Sequence, residues 1–315
     1  MTLQSGPVVC ISYLALAELW TVPRFPLANQ GAEVRTIEWS VAADGPMTAA
    51  VLASLGASPL LISNDIGADE HGRFVRGWLD DRHVEMVGAM RPEVITPRVV
   101  VTADDNATRT WFAHLPGVVD GLARVDLSPL ASASFIYLDG YQLIEVAAAR
   151  AVEAGAAAEV PIFLNLGGSE LSPAVAAALH GCSNLIVQTN VDDDAHAEAP
   201  ALARHLLAET GATWVIVTAG ACGAVAVSRS ELISVPAFPV RVRHTHCAGA
   251  AFSGGLLYGL RAGWPMQRSM LLGSASGALR CARHQSAPLP TLAELQPLCT
   301  RQPWGMVSSG YRPLP

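Results

Sequence analysis

Short apolar runs alternate along this chain with alanine-rich or amphipathic segments, and this alternation restricts the fold more than any other feature of the sequence. The first apolar run is 8–11, the alanine-rich segment 49–55 stops at Gly56, and the second run is 59–62. Runs that are apolar at every position are typical of strands buried on both faces, as in a parallel sheet covered by helices. We therefore expect an α/β fold.

The alternation continues to the carboxyl-terminal part of the chain. It predicts a turn at 64–67, a helix at 72–79, strands near 135–138, 162–164, 185–187 and 214–218, and closing helices at 250–260 and 267–283. The segment 92–116 differs, because β-prone runs at 99–102 and 108–112 flank the polar stretch 103–107, which indicates a hairpin. Since the sequence has neither an internal repeat nor a long linker, we expect one domain over 1–315.

The basic side chains exclude several classes of enzyme. All 20 of them are arginine, so the chain contains no lysine. A pyridoxal-phosphate Schiff base, a Walker A loop and a protein kinase site each need a lysine amine. With 27 acidic residues and a net charge of -7, the chain also offers no basic field for nucleic acid or an anionic membrane.

The sequence gives no sign of export or of a structural metal. It contains no run of about 20 apolar residues, and residues 1–7 lack the basic start of a signal peptide. The 6 cysteines are widely spaced and form no C-x-x-C pair. We expect reduced cysteines in a cytoplasmic protein.

Three glycine-containing motifs follow one another in the order of a known family. They are G-x-D-x-x-G at 67–72, T-x-G-x-x-G at 218–223, and C-A-G-A-A-F-S-G at 247–254. In order and spacing they resemble the PfkB, or ribokinase-like, family of carbohydrate and nucleoside kinases. The resemblance spans almost the whole chain. It implies a three-layer αβα, doubly wound and mostly parallel sheet with a small β lid, formed here by parts of 12–45 and 92–116.

The resemblance also implies a set of site residues. In the family, the Asp of G-A-G-D is the general base on a substrate hydroxyl, and the amides of that motif form an anion hole at a helix N-terminus. ATP with Mg²⁺ lies across the T-x-G-x-x-G turn, and an N-x-x-E segment orders the metal. By this correspondence the anion hole is formed by Ala248, Gly249 and Ala250. The nucleotide-binding residues are Asn190, Asp193, Thr218, Gly220 and Gly223.

The chain departs from the family where the chemistry is carried out. Ala250 stands at the position of the base, and a methyl group cannot accept a proton. Cys247 replaces the first glycine of the motif. On the substrate side, the positions that grip sugar hydroxyls in the family are apolar: Ala17, Ala42, Ala43 and Met47. We therefore predict an apolar ligand pocket, to which Arg109 and Trp111 of the lid hairpin add contacts.

Three functions are compatible with these departures. The first is a pseudokinase or repurposed fold that binds a small, relatively apolar or anionic ligand. The second is an active ATP-dependent carbohydrate or nucleoside kinase with a shifted base, for which His246 is the candidate. The third is a non-kinase enzyme that uses Cys247 or His246. No metal site is predicted, since His244 and His246 share one face of an extended segment and Cys247 the other. By analogy with the family, a homodimer through the lid is expected.

Overall fold

The computed structural model describes residues 6–106 and 108–301 of the chain. Two β-sheets and a two-stranded ladder account for its strands. In chain order the strands are β1 (Val8–Ile11), β2 (Ala15–Thr21), β3 (Thr36–Ala42), β4 (Pro59–Ile62), β5 (Ile66–Gly67), β6 (Glu85–Val87), β7 (Met90–Arg91), β8 (Arg98–Ala103), β9 (Arg109–His114), β10 (Phe135–Asp139), β11 (Ile162–Asn165), β12 (Leu185–Asn190), β13 (Trp214–Thr218), β14 (Ala224–Val227) and β15 (Leu232–Val235).

The large sheet has the strand order β15-β14-β13-β12-β11-β10-β1-β4-β6. From β6 to β13 every pairing is parallel, and only β14 and β15 run antiparallel to their neighbours. The parallel part is buried on both faces: along β1, Val8 and Cys10 belong to one core, and Val9 and Ile11 belong to the other.

Helices cover both faces of this sheet. In chain order they are α1 (Asp44–Ser54), α2 (Glu70–Asp80), α3 (Val118–Ala123), α4 (Glu145–Ala157), α5 (Pro173–Ala178), α6 (Ala199–Thr210), α7 (Ala248–Arg261), α8 (Met266–Ala282) and α9 (Leu292–Arg301). Side chains of α1, α2, α7, α8 and α9 build one core, and those of α4, α5 and α6 build the other. The predicted three-layer αβα architecture is confirmed.

A small four-stranded sheet forms the predicted lid. Its order is β3-β2-β8-β9, with β2 and β8 parallel and the other pairs antiparallel. Ala15, Leu19 and Val99 lie in its apolar core. The hairpin expected at 92–116 is the β8–β9 pair, and Ala107, in its predicted turn, lies outside the described residues.

The direction of the winding reverses between β1 and β10. From β1 the chain continues outward through β4 and β6, whereas β10 starts the series that runs in the opposite direction through β11, β12 and β13. In open α/β sheets, ligands bind outside the carboxyl ends of the strands at such a reversal. Here Ser12, Asp139 and Asn165 stand at the ends of β1, β10 and β11.

Some expectations concern residues that the structure does not describe. The single domain was expected over 1–315, and its first five residues and residues 302–315 lie outside the described part of the chain. Across 6–106 and 108–301, no helix combines the length and apolar character that crossing a membrane requires.

Candidate active site

A pair of carboxyl groups, from Asp44 and Asp139, lies at the reversal point of the sheet. Asp139 ends β10 and has no exposed surface. Its Oδ2 accepts hydrogen bonds from the Ser12 hydroxyl at 2.5 Å and from the Gly45 amide at 3.0 Å. Asp44 is the first residue of α1 and remains partly exposed. Of the two carboxyl groups, Asp44 is thus the one that solvent or a ligand can reach.

The amide of Asn165 connects the two carboxyl groups. Its Nδ2 lies 2.9 Å from Asp44 Oδ2 and 3.2 Å from Asp139 Oδ1. The buried hydroxyl of Tyr137 donates to Asp139 Oδ1 at 2.8 Å, and the Tyr141 hydroxyl donates to Asp44. The result is a continuous polar network that we call the carboxyl cluster: Ser12, Asp44, Tyr137, Asp139, Tyr141 and Asn165.

The pKa values of both carboxyl groups are raised. Burial, and then the nearby Asp44 carboxylate, raises the pKa of Asp139 to about 7, against the hydrogen bonds from Ser12, Tyr137 and Gly45. Burial also raises the pKa of Asp44, against its hydrogen bonds from Tyr141 and Asn165. Asp139 therefore takes up a proton at a higher pH than an ordinary aspartate does, and it does so beside a second carboxyl group. Perturbed acids of this kind are typical of functional sites.

The amino-terminal end of α7 is the predicted anion hole. Ala248 begins the helix, and the amides of Gly249 and Ala250 donate to no group of the described residues. Gly249 is exposed, and a methyl placed on it would meet no atom within 4 Å, whereas Ala250 is buried. Unsatisfied amides at a helix N-terminus attract anions, and phosphate in particular.

Two contacts place this helix end beside the carboxyl cluster. The Thr48 hydroxyl of α1 donates to the Ala250 carbonyl oxygen at 3.2 Å. On the other side of Asp44, His246 Nε2 lies 3.1 Å from the Val41 carbonyl oxygen. The segment 41–48 therefore runs along the start of α7, which brings Asp44 near the residues that begin this helix. Arg109 of the lid donates to the Thr245 carbonyl oxygen at 3.3 Å.

The environment of His246 works against its role as a replacement base. Burial lowers the pKa of His246 to about 3, and the Arg280 guanidinium contributes in the same direction. The same two causes, in the same order, lower the pKa of His244 to about 4. Arg280 itself is 2% exposed, and its guanidinium donates to the backbone and side chain of Gln285. Both rings stay neutral at pH 7, and a base of such low pKa has little affinity for a substrate proton.

Cys247 is equally unsuited to attack a substrate. Burial, and then the Asp44 carboxylate, raises the pKa of its thiol to about 12. Its Sγ lies 3.3 Å from His246 Nε2, but neither group forms the thiolate or the imidazolium of a reactive pair. Among the described residues no three His, Cys, Asp or Glu side chains are placed to hold a metal ion.

The predicted nucleotide residues come together at the ends of β12 and β13. Asn190 and Thr218 are register partners in these strands. Asp193 Oδ2 accepts from the Ala221 amide at 3.2 Å, and so ties the N-x-x-D segment to the glycine turn. Gly220, at φ 46, is exposed, whereas Gly223, at φ 94, lies against the Val235 carbonyl oxygen.

The residues predicted to line the ligand pocket do not lie together in the structure. Ala17 and Met47 have no exposed surface and Ala42 has 4%, since Ala17 and Ala42 fill the lid core and Met47 fills the core under α1. Only Ala43 borders the carboxyl cluster, as the residue before Asp44. Trp111 is 68% exposed on β9, and both its contact with a ligand and the lid-mediated dimer stay predictions.

The apolar pocket expected from the sequence is therefore corrected to a polar one. The ligand pocket was predicted only from the positions at which the family has polar, sugar-binding groups. Asp44, Asp139 and Asn165 were not among those positions, so the prediction did not include them. A signal was present nevertheless. Asp139 and Asn165 each end an apolar run, and the carboxyl ends of parallel strands meet at one edge of a sheet.

Comparisons with other sequences agree with this arrangement. Residues 8–292 match the sequence model of a protein family, the pfkB family carbohydrate kinases. An aminoimidazole riboside kinase of Salmonella typhimurium is 27% identical over 233 residues, covering 69% of this chain and 72% of the relative. A 5-dehydro-2-deoxygluconokinase of Bacillus licheniformis is 32% identical over 101 residues, so the match covers 31% of this chain and 31% of that relative.

Solved structures show the same fold. A putative ribokinase II of Escherichia coli in complex with ATP and Mg²⁺ has a TM-score of 0.76 at 19% identity, covering 95% of this chain and 100% of its own. An Arabidopsis thaliana ribokinase with ribose and ATP has a TM-score of 0.74 at 16% identity, again over 95% of this chain and 100% of its own. The family match extends over 8–292 and includes the carboxyl cluster and the start of α7. The chain therefore belongs to the pfkB family of carbohydrate kinases.

Proposed function

We propose that this chain is an ATP-dependent kinase of a small hydroxyl-bearing molecule of the carbohydrate-like class. The observation that carries the proposal is the packing of 41–48, which contains Asp44, along the start of α7, where the amides of Gly249 and Ala250 have no partner among the described residues. The carboxylate accepts hydrogen bonds from hydroxyl groups, and the amides can donate hydrogen bonds to an anion. A phosphoryl transfer to an alcohol needs these two functions side by side.

The carboxylate of Asp44 suits a ligand that donates hydrogen bonds. An ionised carboxylate only accepts, so Asp44 would recognise O–H or N–H groups. No salt bridge engages this carboxylate among the described residues. A ligand with several hydroxyl groups would satisfy the exposed oxygens of Asp44, whereas an apolar ligand would leave them unpaired at a cost of about 1 to 3 kcal/mol each.

The nucleotide would lie on the opposite side, over Thr218, Gly220 and Gly223. These positions suit the phosphates, because Gly220 is exposed and the amides of Gly249 and Ala250 have no partner among the described residues. Asn190 and Asp193 would order the accompanying Mg²⁺, which takes one or two carboxylates and keeps several waters. Bound Mg²⁺-ATP supplies the phosphoryl group with part of its charge neutralised.

The similar sequences support an alcohol as the acceptor. The names of two relatives denote kinases of aminoimidazole riboside and of 5-dehydro-2-deoxygluconate. The chain spans only about a third of the second relative's length, so this likeness supports the substrate class rather than one compound.

A pseudokinase is the second candidate, and the observation that favours it is Ala250. This residue occupies the family's base position, has no exposed surface, and packs with its carbonyl oxygen against Thr48. Loss of a positioned general base costs about 10²- to 10⁴-fold in rate. In this alternative the chain binds nucleotide and ligand but transfers no phosphate at a useful rate.

The test is ADP release by the full chain with Mg²⁺-ATP and, in turn, D-ribose, aminoimidazole riboside and 5-dehydro-2-deoxygluconate. Titration calorimetry with ATP is run in parallel. Turnover above the alcohol-free background with any of the three is expected. ATP binding without turnover on any of them would overturn the kinase proposal in favour of the pseudokinase. Absence of ATP binding at millimolar concentration would overturn both.

A further inference from the structure

The proposed kinase lacks a base at the family's position, and the geometry offers one candidate elsewhere. His246 and Cys247 are unsuited by their environments, as described above. Asp139 is fully buried, and its two oxygens already accept hydrogen bonds from Ser12, Gly45 and Tyr137. Of the two carboxyl groups, only Asp44 is partly exposed, and it lies in the segment that packs along the start of α7.

The position of Asp44 follows from the contacts on both sides of it in the chain. Three residues before it, the Val41 carbonyl oxygen contacts His246 at 3.1 Å, and one helical turn after it, Thr48 contacts Ala250 at 3.2 Å. These two contacts hold the first turn of α1 against the amino-terminal end of α7. The influence of Asp44 on the Cys247 thiol is consistent with this proximity.

The neighbours of Asp44 prepare it for this role. Asn165 Nδ2 donates to its Oδ2 at 2.9 Å and the Tyr141 hydroxyl donates to the same carboxyl group, so these two donors orient it. Burial raises the pKa of Asp44, against its hydrogen bonds from Tyr141 and Asn165, so a proton on Asp44 is more stable than it would be in water. A carboxylate that is oriented and more basic than usual is what a general base near neutral pH requires.

We propose that Asp44 is the general base of the phosphoryl transfer, in place of the family aspartate that Ala250 has replaced. This role rests on the proposed kinase function. The O–H bond of the substrate alcohol breaks as its proton moves to Asp44. The alcohol oxygen bonds to the terminal phosphorus of ATP, and the bridging P–O bond breaks with its electron pair leaving on ADP. Asp44 then returns the proton to solvent, while Asn165 and Asp139 act as positioning residues.

The test compares the wild-type chain with Asp44→Asn, Asp44→Ser and Asp44→Glu. Asp80→Asn, which removes an exposed carboxylate from a surface ion pair on α2, is the matched control. Rates are measured with Mg²⁺-ATP and the active alcohol from the panel above, and also without alcohol, where water is the acceptor. ATP affinity and circular dichroism are measured for every variant, and Asp44→Ser provides a second neutral side chain in case Asp44→Asn folds poorly.

We expect Asp44→Asn and Asp44→Ser to lower kcat by about 10²- to 10⁴-fold with ATP affinity unchanged. Asp44→Glu should recover part of the rate, and the acid limb of the wild-type pH–rate profile should disappear in Asp44→Asn. Turnover that survives Asp44→Asn, or a change confined to KM, would overturn the role of Asp44 and leave the kinase function intact. Absence of wild-type turnover with both alcohol and water would instead overturn the kinase function, and this role with it.

Discussion

The hydroxyl of Thr48 donates a hydrogen bond to the carbonyl oxygen of Ala250 at 3.2 Å. Both residues are fully buried. This bond joins the first turn of α1, which carries Asp44, to the first turn of α7, whose amides are free. It thus fixes the distance between the first turns of α1 and α7, where we place phosphoryl transfer.

Removal of this hydroxyl is expected to weaken both the fold and the site. Thr48→Val keeps the shape of the side chain and deletes the donor, so we expect a loss of about 1 kcal/mol in the free energy of unfolding. For a domain of this size that corresponds to a fall of about 2 °C in Tm. Thr48→Ser, which keeps the donor, is the control. Equal ADP-release rates in wild type and Thr48→Val would show that the bond does not position the site.

Asp139 should make the stability depend on pH. Its pKa in the folded chain is about 7, against about 3.9 in an unfolded chain. The folded state therefore holds this proton more tightly, so the stabilising contribution is present below about pH 4 and is lost as the pH rises to about 7. Asp139→Asn removes this dependence. In thermal unfolding between pH 5 and 8, the Tm of Asp139→Asn minus the Tm of the wild type should increase as the pH rises.

The lowered pKa values of His244 and His246 make the stability rise with pH, which is opposite to the effect of Asp139. Both histidines are present in the wild type and in Asp139→Asn, so their effect cancels in the Tm difference between these two proteins. A Tm difference that stays constant from pH 5 to 8 would show that Asp139 does not titrate in this range.

Two of the non-glycine residues with a positive φ flank the candidate site in the chain, one before Asp44 and one before α7. Ala43 has φ 74 and ψ 163, and Cys247 has φ 57 and ψ 29. The first conformation is almost restricted to glycine, and such residues cost about 1 to 3 kcal/mol. We expect Ala43→Gly to raise the free energy of unfolding by about 1 kcal/mol. The backbone strain that it relieves outweighs the free-energy cost of the extra conformational entropy that glycine gives the unfolded chain. Cys247→Gly should gain less, since it also loses packing.

Urea unfolding measures these changes, and Ala49→Gly in the interior of α1 serves as the control. That substitution should lower the stability by about 1 kcal/mol. A loss of stability in Ala43→Gly comparable with that in Ala49→Gly would contradict the assignment of strain to Ala43.

Gly223 and Gly249 are expected to respond differently to the same substitution. A Cβ on Gly223 would lie 2.2 Å from the Val235 carbonyl oxygen, at a φ of 94. Gly223→Ala should therefore destabilise the chain by about 2 kcal/mol or more. A Cβ on Gly249 meets no atom within 4 Å, so Gly249→Ala should leave the Tm unchanged or slightly raised while it weakens ATP binding in calorimetry. Unchanged ATP affinity would place the phosphates elsewhere.

The sequence predicted the fold well because the relevant signals are local. An apolar run such as 8–11 is recognised without reference to the rest of the chain, and it is indeed β1. The hairpin around 103–107 and the closing helices also follow from neighbouring residues. The family resemblance rests on short motifs in fixed order, and the match over 8–292 confirms it.

The candidate site was predicted only in part. Asn190 and Thr218 share a ladder position as the motifs implied, and Gly249 at the start of α7 is exposed. The apolar pocket was a wrong inference, since Ala17 and Met47 are buried in two cores. Whether an alanine lines a pocket or fills a core depends on which elements pack over it, and no local pattern contains that information.

The sequence by itself determined the order of strands and helices, the lid hairpin and the loss of a carboxylate at Ala250. Only the tertiary structure decided that Asp44 and Asp139 share one site, because they belong to different elements that meet at the reversal of the sheet. Burial raises the pKa of both, and the Asp44 carboxylate adds to the rise at Asp139. Burial and proximity are properties of a three-dimensional environment, so the residue letters alone could not reveal them.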